Sequence, residues 1–326
     1  VRVTAVSSGR METATDAARE CGARAFGSGE EVAQSPEVDV VLVSSPPDTH
    51  RRYALAALAA GKHVVCEKPM ALSVGQAEEM VRAAAAHPDR LALVDHELRY
   101  EPNRRRVREL IRAGAIGDVR HIELQLKPYL RGDGRPQAFT APWSWWSERS
   151  RFGGLWGAVG SHLVDLCRYW LGEEPSRVAG TVQTFIKQRP DPSGAGMKPV
   201  TSDDYVHAVL EFPGGTRATL SLSAVAHHGR GHRGEITGSD GTLVVEGEHQ
   251  LFHGKPGGEL EEITVPDPHW GKTTPNSMWA RSFLKLMEDL VGRITGRGKG
   301  DEVIAATFAD GLAVQRVLDA VGGPRD

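Results

Sequence analysis

Four short apolar runs near the start of the chain, separated by helical segments, leave little choice of architecture. They cover residues 3–6, 38–44, 63–66 and 91–95. The second is apolar at almost every position, as expected of a strand buried on both faces. Between the runs, residues 11–20, 48–60 and 73–85 read as helices, with Gly22 and Gly61 closing the first two. Asp48-Thr49 and Ser73 stand at capping positions, and a further helix over 102–113 stops at Gly114. Strands alternating with helices form right-handed βαβ units around a parallel sheet.

After Gly117 the rhythm changes. Residues 119–126 alternate as a strand, a loop rich in Gly, Pro and Trp covers 127–150, and one long helix is expected over 154–171. Strands follow at 177–186, 204–212, 216–223, 234–237 and 242–246, with hairpin turns at Pro213-Gly214-Gly215 and Ser239-Asp240-Gly241. Residues 188–198 read as a flexible loop, and helices over 277–291 and 301–320 close the chain. The reading is an α/β domain over 1–118, then an α+β domain over 119–326 with a large, mostly antiparallel sheet.

At 326 residues the chain suits two domains, and a net charge of −3 gives no reason to expect nucleic acid or an anionic membrane as partner. Arg104, Arg105, Arg106 and Arg108 share a helix with Val107, Leu110 and Ile111, so they read as a solvated face opposite a buried stripe. Cys21, Cys66 and Cys167 show no metal or redox spacing; they suit a reducing compartment, each as a small buried hydrophobe. No apolar stretch approaches the roughly twenty residues of a membrane span, and a cytoplasmic location is the default. His227, His228 and His232 cluster without a supporting carboxylate or cysteine pattern, so no metal is expected.

The run at 63–66 ends on Glu67-Lys68-Pro69. Ligands of open α/β sheets bind where strands end at their carboxyl side, and a lysine delivered there is a candidate proton donor. With residues 38–46, His50, and Gly61 through Pro69, this stretch resembles the glucose–fructose oxidoreductase / inositol dehydrogenase / rhizopine catabolism (Gfo/Idh/MocA) family. So do Arg99-Tyr100-Glu101-Pro102, Gly114-Ala115-Ile116-Gly117, Gly153-Gly154, Gly160-Ser161-His162-Leu163-Val164-Asp165, and the ending Phe308-Ala309-Asp310-Gly311. The resemblance implies a Rossmann-type first domain, an oligomerising second domain packed as a homodimer or homotetramer, and NAD(P)-dependent hydride transfer on a sugar, polyol or cyclitol. It places Lys68 near the nicotinamide ribose and the reacting oxygen, and His162 as acid/base. Ser45, Pro46, His50 and Glu67 would line the cofactor with Lys68. Asp165, three residues after His162, would orient the imidazole or contact substrate. Arg99 and Trp146 would contribute to the substrate pocket, since indole faces stack on sugars, although aromatic residues equally fill cores. Relatives also include NAD-dependent glycoside hydrolases and non-catalytic ligand-sensing regulators, which stand as alternatives.

Three departures from the family pattern matter. The family's first strand and G-x-G-x-x-G turn, which hold the cofactor pyrophosphate, would precede Val1. The chain is read as a piece of a longer protein, the alternative being lost dinucleotide binding. The string Gly229-Arg230-Gly231-His232-Arg233-Gly234 precedes a strand-like segment and is a chance match. At the end of the first run stand Ser7, Ser8 and Arg10 where an acid would select NAD; they suit the 2′-phosphate of NADP, unless the serines cap the next helix. Finally, Ala158 replaces an aspartate one turn before His162; either substrate contacts differ, or Asp165 and another residue, for which Glu97 is a candidate, supply the carboxylate.

Overall fold

The computed structural model describes residues 1–127, 141–297 and 304–323. They form two compact units, Val1–His96 with Asp289–Gln315, and Glu97–Glu288 with Arg316–Asp326.

In the first unit, β1 (Ala5–Ser7) pairs in parallel with β2 (Arg24–Phe26). A second sheet runs β3 (Val40–Val43), β4 (His63–Cys66) and β5 (Ala92–Val94) in parallel. Val64, Val65 and Cys66 of β4 are completely buried, as a central strand covered on both faces requires. Helices α1 (Met11–Cys21), α2 (Gly29–Gln34), α3 (His50–Ala59) and α4 (Val74–Ala85) separate the strands. Ser73 caps α4 by accepting the Gln76 N–H, as its position predicts. Thr49 does not cap α3. Its hydroxyl donates to the Pro46 carbonyl at 2.8 Å and pairs with Ser45, holding the turn that precedes the helix. Sequence reading missed β2 and α2, both too short to show a period.

The second unit is built on α5 (Pro102–Arg112), β6 (Val119–Lys127), α6 (Ser161–Leu171), β7 (Arg177–Gln183), the pair β8 (Gln188–Pro190) and β9 (Met197–Pro199), β10 (Tyr205–Glu211), β11 (Arg217–Ser223), β12 (Gly231–Gly238), β13 (Thr242–Glu246), β14 (Gln250–Gly254) and β15 (Glu261–Glu262). Eight of these strands make one sheet in the order β15-β14-β13-β12-β6-β11-β10-β7, antiparallel except where β6 meets β11. Residues alternate across it: Ile122, Leu124, Leu220, Leu222 and Ile236 are fully buried or nearly so, while Glu123, Thr219 and Glu235 face outward. Each such Leu or Ile contributes roughly 1.5–3 kcal/mol on burial.

Several expectations need correcting. The boundary expected at 118/119 lies at 96/97. The helix α5 packs with α6, where Trp170 Nε1 donates to the Arg104 carbonyl at 2.8 Å, so it belongs to the second unit. The chain also returns to the first unit, where β16 (Ala306–Thr307) adds an antiparallel edge to β5 and leads into α8 (Phe308–Gly322). The helix over 277–291 is α7 (Met278–Ile294); the start expected for the last helix, at Asp301, and part of the loop over 127–150 lie outside the described residues. The supposed flexible loop at 188–198 is the β8–β9 hairpin. Its turn is closed by Asp191, which accepts two bonds from Ser193, and by Gly194 and Gly196 with φ of +80° and +101°. The helix over 154–171 begins as a π-helical turn over Trp156–Gly160 before α6. The G-x-G-x-x-G string runs into antiparallel β12 with no helix after it.

The arginine face is only partly solvated. Arg104 is fully buried, bonded to Glu101 at 3.0 Å and to His232 Nδ1 at 2.8 Å, and Arg108 stacks on Tyr169 at 4.2 Å. Burial and the neighbouring Arg104 hold His232 well below the usual imidazole range. Cys66 and Cys167 are buried, but Cys21 is exposed at the end of a surface helix. Among the described residues, no helix is long and apolar enough to cross a membrane.

Candidate functional site

In the first unit the carboxyl ends of β3 and β4 are tied together by one side chain. His50 is buried, with Nε2 2.7 Å from the Ser45 carbonyl and Nδ1 2.9 Å from the Pro69 carbonyl. Burial lowers its pKa against the opposing pull of both carbonyls. Fully buried and engaged at both nitrogens, His50 fixes the Ser45 and Pro69 loops. Lys68 and Pro69 are joined by a cis peptide bond. The Glu67 carboxylate accepts the Lys68 N–H at 3.2 Å and stands 3.9 Å from Nζ, so the ammonium has a local counter-ion. Both Glu67 and Lys68 retain surface, as do Ser45 and Pro46. Behind them Gly311 lets α8 approach closely: a Cβ there would lie 2.6 Å from Met70 Sδ and 2.7 Å from Val94 Cγ2.

At the end of β1, Ser8 and Arg10 are exposed and Ser7 is half-buried. The N-cap residue of α1 is Arg10 and makes no side-chain capping bond, so the serines do not cap this helix. The Arg10 guanidinium has no partner among the described residues, and the positions from Ser7 to Arg10 carry no carboxylate. This donor set fits the 2′-phosphate of a dinucleotide.

In the second unit the residues converge on α6. His162 and Asp165 lie on its first turns, both buried. Asp165 is held by two arginines. Arg99, from the 3₁₀ turn Glu97–Tyr100, grips it through Nε to Oδ2 at 2.7 Å and Nη2 to Oδ1 at 2.6 Å. Arg168 approaches Oδ1 at 3.4 Å. A guanidinium fork and a carboxylate satisfy one another in the dry interior. The carboxylate beside His162 is Glu97, with Oε2 3.7 Å from Nδ1. Trp279, which sequence reading missed, sets its ring 5.0 Å from the imidazole.

The glycines before α6 mark a close approach. Gly154 has φ +102°, and a Cβ on it would meet Asp203 Oδ1 at 2.6 Å. Asp203 Oδ2 accepts the Trp156 N–H at 2.8 Å and its carbonyl accepts that of Leu155 at 3.2 Å, anchoring the π-helical turn that leads to His162. Burial pushes the Asp203 carboxyl up to about 6 despite these bonds. A cavity of about 60 Å³ lies beside it, lined also by Arg149, Thr184 and Thr201. Of the tryptophans, Trp156 is core and donates to the Leu318 carbonyl, Trp143 lies under Lys198, and Trp146 is exposed beside Trp145.

Residues 1–96 match the model of an oxidoreductase family with an NAD-binding Rossmann fold, and residues 104–244 match the GFO/IDH/MocA C-terminal domain. The chain is 31% identical over 307 residues to glucose-fructose oxidoreductase domain-containing protein 2 of Xenopus laevis, spanning 90% of this chain and 77% of that one. The chain belongs to the GFO/IDH/MocA oxidoreductase family. Among other members, it is 33% identical over 253 residues to an uncharacterized oxidoreductase of Synechocystis, covering 75% of this chain and 66% of that protein. It is 29% identical over 261 residues to levoglucosan dehydrogenase of Pseudarthrobacter phenanthrenivorans, covering 75% and 65%. An oxidoreductase domain protein of Kribbella flavida superposes with a TM-score of 0.83 at 29% identity, over 99% of this chain and 88% of that one. A levoglucosan dehydrogenase solved with NADH and levoglucosan shares the fold at a TM-score of 0.80 and 24% identity, over 99% and 88%. Within this GFO/IDH/MocA oxidoreductase, Lys68 sits at the carboxyl end of a parallel strand of the NAD-binding fold, and His162 on a helix of the C-terminal domain.

Proposed function

We propose that this chain is an NADP-dependent dehydrogenase, with NAD as the weaker alternative, acting on a hydroxyl or carbonyl of a sugar, polyol or cyclitol. When bound, the nicotinamide supplies the hydride acceptor and donor. Lys68 hydrogen-bonds the reacting oxygen through its ammonium and offsets the alkoxide charge as it grows. His162 takes the hydroxyl proton during oxidation and returns it during reduction. Glu97, at 3.7 Å, stabilises the imidazolium that forms. Asp165 and Arg99 hold the turn and helix that present these two groups. His50 keeps the Ser45 and Pro69 loops in place for cofactor and Lys68.

The observation that carries this reading is the buried His162–Glu97 pair in a chain of an NAD-binding oxidoreductase family. Ser8 and Arg10 support NADP. The levoglucosan dehydrogenase relative supports a sugar-like substrate. The test is NAD⁺ and NADP⁺ reduction at 340 nm with a panel of aldoses, anhydrosugars, polyols and cyclitols. Turnover falling about 10²–10⁴-fold in H162A would support the acid/base role. An H162A variant as active as wild type would remove it, and no reduction with any panel member would remove the dehydrogenase reading.

The outward face of the second unit's sheet mixes half-buried Tyr205, Val209 and Phe252 with Thr219 and Ser221. We place a homodimer or homotetramer contact there, to be read by light scattering. The free cysteines agree with a cytoplasmic setting.

A further inference from the structure

Trp270 is a large apolar ring that the fold keeps 55% exposed. It does not sit there loosely. The Arg281 guanidinium lies 4.4 Å beneath its centroid, and the His249 ring meets it edge-on at 5.3 Å. Arg281 is itself fully buried and pinned by Asp267 at 2.8 Å, the Asn276 carbonyl at 3.0 Å and the Asn276 side chain at 2.9 Å. His249 is fixed in turn through its carbonyl, which accepts from Asn103 at 2.9 Å. One indole face is thus clamped on a rigid polar base, and Trp270 borders an open groove of about 590 Å³. That volume suits a small organic ligand.

The lining also carries Arg230, Glu246, Glu248 and Gln250. Among the described residues, the Arg230 guanidinium and the Gln250 amide have no hydrogen-bond partner. An aromatic platform ringed by a guanidinium, carboxylates and an amide matches a pyranose, whose C–H face is apolar and whose rim carries hydroxyls that both donate and accept. Arg233, 3.7 Å from Glu246, and Arg230 balance the two glutamates, so the rim carries no net charge to hold a phosphate or another anion.

One segment, through buried Met278, links the groove wall to the His162 cluster. Glu248, in its wall, accepts the Met278 N–H at 3.1 Å, and the next residue, Trp279, places its ring 5.0 Å from the His162 imidazole. We propose that the Trp270 groove is a second sugar subsite, which takes the neighbouring ring of a glycoside or disaccharide whose reacting ring is handled at His162. It rests on the proposed dehydrogenase function and narrows the substrate class from single sugars to glycosides.

The test is calorimetric titration of the full chain with glucose, cellobiose and maltose, in wild type, W270A and W270F. Binding needs no turnover, so it can fail while cofactor reduction succeeds, and the reverse. At least one disaccharide should bind about tenfold tighter than glucose, the change given by ~1.4 kcal/mol of added contact. W270A should lose that preference and W270F should keep part of it. Equal affinities in wild type, binding of none of the three sugars, or a preference that survives W270A would overturn the subsite.

Discussion

Arg99 and Asp165, 66 positions apart, form a bidentate ion pair at 2.6 and 2.7 Å with both side chains buried. A buried carboxylate stripped of its fork is costly, typically 3–5 kcal/mol. R99A should therefore lower the unfolding free energy by about that amount in urea titration, and R99A/D165N should recover part of it by removing the stranded charge. If the single variant is as stable as wild type, the pair does not anchor α6.

Asp203 makes a pH-dependent contribution opposite in sign to that of most carboxylates. Its pKa is pushed up to about 6 from 3.8, so the folded state binds the proton more tightly than the unfolded one. Stability from this group is fully present below about pH 4 and declines as pH rises to about 6. D203N keeps an acceptor for the Trp156 N–H but cannot ionise. The melting temperature of D203N relative to wild type should therefore climb between pH 4 and 6 and level off above 7. A difference that stays constant with pH would refute the assignment.

His232 carries the opposite dependence. Its pKa is held well below 6.5, first by burial and then by Arg104, so folding excludes a proton that the unfolded chain takes up. This contribution is present above pH 6.5 and is lost as pH falls below it. H232Q retains an acceptor for Arg104 without titrating. Wild type should lose melting temperature faster than H232Q between pH 7 and 5; parallel curves would count against it.

Arg10 reads the cofactor if the 2′-phosphate lies at the end of β1. R10A should then lower kcat/KM for NADP⁺ about tenfold or more while changing that for NAD⁺ little. Equal losses with both cofactors would show that Arg10 does not discriminate between them.

His50 should act on Lys68 only through the loops it bridges. Removing the buried ring leaves a carbonyl without its donor at a cost of about 1–3 kcal/mol, so H50A should lower both the melting temperature and turnover. Unchanged turnover in a folded H50A would separate His50 from Lys68.

Sequence alone determined whatever depends on neighbours along the chain. The apolar run of β4 ending at Glu67-Lys68-Pro69, the Ser73 cap of α4 and the alternation of β10 and β11 follow from local pattern, because backbone geometry repeats every two or every 3.6 residues. Thr49 shows the limit even locally, since its hydroxyl had two partners within reach and took the turn rather than the cap. Only the tertiary structure decided who pairs with whom. Asp165 met Arg99 from 66 residues upstream, Arg104 left the solvent face for Glu101 and His232, and Trp279 reached the imidazole from a helix more than a hundred residues downstream. The physical reason is that a buried charge or ring must be satisfied by whatever packing brings close, and packing has no period in the sequence.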